Sequence, residues 1–140
     1  QGSALYKDSR LEGHDAVVVL EVIEHLELSR LDAFAECMFK LLNPPLLFLS
    51  TPNAEYNALY ESLPGGQLRH DDHRFEWTRA EFEEWTNRVG TQYGYKVTRQ
   101  GIGAEQEALG CPTQMAIFDK VSHAEREEKS SGARDTKTTD

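Results

Sequence analysis

The sequence predicts an α/β fold in which two parallel strands are followed by an antiparallel pair, with helices on the faces of the sheet. Three observations carry this. "DAVVVLEV" is a run of valine and leucine without polar alternation, the composition of a strand covered on both faces, as in parallel sheets. An amphipathic stretch separates it from a second short apolar run, "PLLFLSTPN", and strand, helix, strand in one sheet is a right-handed crossover between parallel neighbours. Later, "YGYKVTRQGIG" and "CPTQMAIFDK" follow one another with no helical pattern between them, which predicts an antiparallel pair.

The elements follow in order. The first strand is expected over residues 15 to 22. In "SRLDAFAECMFKLLNPP", Leu31, Phe34, Ala35, Met38, Phe39 and Leu42 fall on one helical stripe, with Ser29 as the cap and Asn43 then Pro44 as the stop. The second strand, residues 45 to 53, ends in a Ser-Thr-Pro-Asn turn. A short helix and a loop through "LPGGQLRHDD" occupy residues 54 to 72. The next helix begins at "WTRAEF", where Thr78 and Glu81 form a capping box and Trp77 and Phe82 stand at the positions of a hydrophobic staple. It is expected to run through Trp85 and Val89 to Gly90. The last strand is expected to end near Asp119. Residues 122 to 140 have almost nothing to bury and read as a disordered tail, leaving residues 1 to 121 as the folded unit.

The front of the chain is unusual. "QGSALYKDSRLEGH" contributes no earlier strand, so the first strand is expected to keep one unpaired, apolar, β-branched side. This pattern reads as the second half of a larger domain.

Composition narrows the function classes. The chain has 140 residues, 39% of them hydrophobic, enough for one core and too few for two domains. Fifteen Lys and Arg against 24 Asp and Glu give a net charge of −9, which opposes general attraction to a phosphate backbone, so any nucleic-acid contact is local. Cys37 and Cys111 lack metal or redox spacing and read as reduced thiols of a cytoplasmic protein. No apolar run approaches the length of a membrane span.

The chemistry concentrates where the first strand ends, in "EVIEH". A helical turn there places Glu21, Glu24 and His25 on a common face. Two adjacent carboxylates repel, and a divalent cation removes that conflict. Carboxylate oxygen mixed with imidazole nitrogen suits magnesium or manganese. In open α/β sheets the ligand crevice lies beyond the carboxyl ends of the strands, which is where this motif and "STPNAEYN" fall. His70 or His73 in "RHDDHRFEW" then offers a fourth ligand across the crevice.

These residues resemble a known family, the 2′-O-methyltransferases that modify the 3′-terminal ribose of RNA. The resemblance runs in matching order through "GS", "EVIEHLE", "LLFLSTPNAEYN", "RHDDHRFEWTRAEF" and "PTQMAIF", and is nearer to the bacterial, RNA-repair branch. It implies the C-terminal half of a Rossmann-like S-adenosylmethionine-dependent methyltransferase fold, and a Mg²⁺ or Mn²⁺ held by Glu21, Glu24, His25 and His73 as the catalytic set. His70 becomes a neighbour. The implied substrate is an RNA 3′ end with free 2′- and 3′-hydroxyls, and the implied partners are the N-terminal half of the domain and RNA end-processing and ligase proteins.

The family's glycine-rich donor segment has no counterpart here, since "GIG" at 101 to 103 lacks the strand-then-helix context. Gly2 and Ser3 match a region near the donor pocket. Arg69, Arg74 and Arg79 are candidates for RNA phosphates, and Tyr56 or Tyr60 for stacking on a base. Two other classes are open: a metal-dependent phosphodiester hydrolase, and a non-catalytic module that docks through its exposed first strand.

Overall fold

The computed structural model describes residues 2–63, 67–122 and 125. Four strands form one sheet: β1 (Ala16–Leu20), β2 (Leu46–Pro52), β3 (Tyr95–Ile102) and β4 (Thr113–Lys120), in the order β1-β2-β4-β3. β1 runs parallel to β2 with Val19 opposite Leu49, and β4 lies antiparallel to both β2 and β3. The parallel pair and the antiparallel pair are as expected. The insertion of β4 between β2 and β3 is a further feature, and it makes β2 a central strand.

One sheet face carries the core. Val19, Leu47, Leu49, Ala116, Phe118 and Tyr95 are buried against Leu31, Phe34, Met38 and Phe39 of the first helix and Phe82, Trp85 and Val89 of the second. The Phe39 ring lies 4.7 Å from that of Phe118 and 5.3 Å from that of Tyr95, within the range of favourable tilted and edge contacts. The opposite face is left open among the described residues. Val18 is 61% exposed and Leu20 49%, and no described strand pairs with the outer side of β1. The expected unpaired apolar strand is therefore present at the sheet edge.

The first helix starts as α1 (Leu31–Ala35) and widens into a π-helical segment, Glu36–Leu42. Asn43 ends it in the left-handed conformation (φ 50°), with its amide donating to Met38 O at 3.1 Å. The expected Ser29 cap is not made. Leu28–Arg30 forms a 3₁₀ turn whose last residue is already helical, so the extended backbone that a capping side chain needs never occurs there.

The second helix, α2 (Arg79–Tyr93), opens with the expected capping box: Glu81 N donates to Thr78 Oγ1 at 3.3 Å, and Thr78 N to Glu81 Oε2 at 2.8 Å. It runs past Gly90 and stops at Gly94 (φ 78°). Gly90 has another role. A Cβ there would meet Val97 Cγ2 at 2.5 Å and Tyr95 O at 2.9 Å, so its bare Cα lets β3 pack close to the helix.

Cys37 and Cys111 are both free thiols. Of the expected tail, residues 122 to 140, all but Ser122 and Glu125 lie outside the described residues. No helix among the described residues is long and apolar enough to cross a membrane.

Candidate metal centre

The chain turns sharply at the carboxyl end of β1. Glu21 takes the left-handed conformation (φ 53°), its amide still donating to Ser50 O of β2 at 3.0 Å. A 3₁₀ turn, Ile23–His25, follows. The expected common helical face is thereby corrected: Glu21 precedes the turn in a different backbone conformation, while Glu24 and His25 lie within it. Left-handed backbone is unusual for a side chain with a Cβ and marks a position held by its surroundings. Here the holding contact is Ser50 Oγ, which donates to Glu21 Oε1 at 3.0 Å.

Glu24 is the centre of the arrangement. Its side chain is completely buried. Thr51 Oγ1 donates to Oε2 at 3.0 Å, and Oε1 has no hydrogen-bond partner among the described residues. Burial, more than any other cause, holds this carboxyl above the usual carboxylate range; the neighbouring charge of Glu21 adds to it, while its own amide, Thr51 and His73 oppose. An orphaned oxygen on a buried carboxylate is costly unless something positive meets it.

His73 comes from the loop before α2. That loop is tied to the β1 turn by Arg74 N donating to Glu24 O at 2.6 Å, and to the segment just after β2 by Ala54 N donating to Trp77 O at 2.9 Å. The rings of His25 and His73 stand edge to face with centroids 4.8 Å apart. Ligand atoms of Glu24, His25 and His73 all lie within 4.8 Å of one another. A carboxylate oxygen and two imidazole nitrogens converging at a buried carboxyl with one unsatisfied oxygen fit a divalent cation with mixed oxygen and nitrogen coordination. Glu21 lies outside this three-residue group. His70 stands beside it, its ring 5.7 Å from that of His73, with Nδ1 accepting from Asp72 N.

The arginines differ in availability. Arg69 is woven into the protein: Nε donates to Asn57 Oδ1, Nη1 to Pro112 O at 2.8 Å and Nη2 to Asn53 O at 2.5 Å, while its guanidinium lies over the Tyr60 ring. Arg79 donates twice to Glu55 and once to Ala108 O. Arg74 is exposed, with only a 3.4 Å contact to the exposed Glu27. Tyr56 and Tyr60 face each other edge to face at 6.0 Å. Gly2 and Ser3 line an open cleft of about 680 Å³ along β1 with Asp8, Arg10 and Val18, and the metal group does not line it.

Sequence reasoning missed four polar supports: Ser50, Thr51, Asn57 and Glu76. Glu76 is the most consequential, because its fully buried carboxylate meets His73 Nδ1 at 2.7 Å. The signal was available as His-x-x-Glu in "HRFE", hidden because the glutamate abuts a basic residue and two aromatics that suggest an ordinary surface helix start.

No family model matches the chain. A small RNA 2′-O-methyltransferase of Rattus norvegicus is 41% identical over 137 residues, 96% of this chain and 34% of that protein. The crystal structure of the methyltransferase domain of bacterial CtHen1-CN superposes with a TM-score of 0.74 at 48% identity, over 85% of this chain and 60% of that one. A chain in the structure of the Pnkp1/Rnl/Hen1 RNA repair complex superposes with a TM-score of 0.61 at 26% identity, over 81% of this chain and 24% of that one. The chain thus spans about one third of the length of the rat relative. By sequence and by fold, this chain is a homologue of a segment of the small RNA 2′-O-methyltransferases.

Proposed function

We propose that residues 1 to 121 are the C-terminal part of a methyltransferase domain that transfers a methyl group from S-adenosylmethionine to the 2′-hydroxyl of the 3′-terminal nucleotide of RNA. In this reading the chain supplies the metal-binding catalytic part, and the glycine-rich donor segment belongs to the remainder of the domain. The observation that carries the proposal is the buried Glu24 carboxyl, which has one unpartnered oxygen among the described residues and offers a ligand oxygen within 4.8 Å of those of His25 and His73 just beyond β1. Its weight comes from standing in a chain so similar to enzymes of that name.

Glu24, His25 and His73 would hold Mg²⁺ or Mn²⁺, with Glu21 beside them as a further carboxylate. A cation bound there lowers the cost of deprotonating a ribose hydroxyl and prefers a vicinal diol, which chelates, over a lone hydroxyl. The protein's own groups set this up. Thr51 fixes one oxygen of Glu24 by donating to it, and Ser50 does the same for Glu21. A histidine nitrogen that binds metal cannot also take the proton through that nitrogen, so His25 serves as ligand.

Of the three candidate arginines, Arg74 is the one left to meet an RNA phosphate, its guanidinium meeting just the exposed Glu27 at 3.4 Å among the described residues. Arg69 and Arg79 act by bracing the loops that carry the site. The outer side of β1 and the cleft lined by Gly2 and Ser3 form the seam against the rest of the domain, where the donor would lie. Cytoplasmic RNA end-processing and ligase proteins are the proposed wider partners, in keeping with the similarity to a chain of an RNA repair complex.

The test joins this chain to the preceding part of a homologous methyltransferase domain and measures methyl transfer with Mn²⁺. RNA ending in a 2′,3′-diol is expected to accept the methyl group, and a 2′-deoxy end to fail. Equal transfer to both ends would reject the proposal. RNA cleavage by the isolated chain with Mn²⁺ would favour the hydrolase class instead.

A further inference from the structure

We infer that Glu76 is a positioning residue that fixes the imidazole of His73 in the tautomer presenting Nε2 to the cation; this rests on the metal-binding reading of the site. Glu76 sits at the centre of a buried polar cluster. Its Oε1 lies 2.7 Å from His73 Nδ1 and accepts from Arg69 N at 2.6 Å, and its Oε2 accepts from Asn57 Nδ2 at 2.5 Å. The side chain is fully buried, and that of His73 is 10% exposed.

A carboxylate whose two oxygens already accept from Arg69 N and Asn57 Nδ2 has no hydrogen to give, so the proton on the shared edge belongs to His73 Nδ1. A neutral imidazole carries one ring proton. With Nδ1 protonated, the lone pair is on Nε2, the nitrogen left over for a ligand. Buried carboxylate behind a metal histidine is a known way to orient the ring and raise its basicity.

The cluster also explains why Arg69 is half-buried. Asn57 spans Glu76 and Arg69, donating to the first through Nδ2 and accepting from the second through Oδ1. Arg69 in turn ties the loop to Asn53 O and Pro112 O, beside the ends of β2 and β4. Glu76 therefore joins the His73 ring to two strands through one chain of hydrogen bonds. Loss of this carboxylate leaves the ring free to rotate or to exchange its proton between nitrogens.

The test uses the full chain at weakly basic pH. Nitrogen-15 NMR is expected to show the metal-free His73 ring protonated on Nδ1. Glu76→Ala is expected to shift it toward the Nε2-protonated form and to weaken Mn²⁺ binding, by calorimetry, on the order of 10- to 100-fold. Glu76→Gln keeps an acceptor for the ring and is expected to restore most of that loss. A merely structural role would lower the melting temperature and leave the tautomer unchanged. An Nε2-protonated ring in the native chain overturns the inference, whether or not either variant folds, as does native Mn²⁺ affinity in a folded Glu76→Ala. If the native chain binds no Mn²⁺, the metal reading fails, while the tautomer measurement still decides what Glu76 does.

Discussion

Replacing Glu24 with glutamine separates what the buried carboxylate costs the fold from what it does for a cation. The side chain is fully buried, with one bond from Thr51 and one oxygen unpartnered. Burial foremost, and then the charge of Glu21, push its pKa from 4.5 to about 7. A carboxyl whose folded pKa lies above its unfolded one keeps its proton in the folded state after the unfolded chain has lost it. Its ionisation therefore destabilises the fold, beginning as pH rises past 4.5 and complete above about 7. At about 1.4 kcal/mol per pH unit this amounts to roughly 3 kcal/mol. For a domain of about 120 residues, each kcal/mol moves the melting temperature by about 4 °C, which gives roughly 12 °C.

Glutamine has no charge at any pH and keeps a carbonyl for Thr51. In chelator, Glu24→Gln is expected to melt with the native chain at pH 4.5 and roughly 10 °C above it at pH 8. Saturating Mn²⁺ is expected to reverse the order. At one thousand times Kd it stabilises the native chain by about 4.1 kcal/mol, more than the roughly 3 kcal/mol deficit, and leaves the variant unmoved. Thermal unfolding followed by circular dichroism reads both effects. A difference between the two proteins that stays constant across pH, or an equal response to Mn²⁺, would refute the reasoning.

Other expectations follow from single contacts. Thr78→Ala removes the α2 cap and is expected to cost about 1 kcal/mol in urea unfolding, with the Mn²⁺ affinity unchanged. Gly90→Ala places a Cβ against Tyr95 O and Val97 and is expected to cost about 1–3 kcal/mol, although alanine is the better helix former. Glu55 is held below its ordinary pKa, chiefly by the hydrogen bond from the Arg79 side chain. Its contribution is present above pH 4.5 and is lost as pH falls through the lowered value, so Glu55→Gln is expected to flatten the acid limb of a stability–pH curve.

The sequence alone determined the strand types, the capping box and the location of the polar cluster at the end of β1. Those features are local: Val17 to Val19, Thr78 with Glu81, and Glu24 with His25 act on neighbours within a turn or a strand. Only the tertiary structure decided that β4 lies between β2 and β3, that Gly90 is a close-packing site, and that Glu21 leaves the helical face for Ser50. It also decided that Arg69 is an internal brace and that Glu76 stands behind His73. Periodicity reports which side of its own element a residue faces. The partner across the gap is chosen by the packing of distant segments, and a buried carboxylate or guanidinium takes whichever donors and acceptors that packing brings to it.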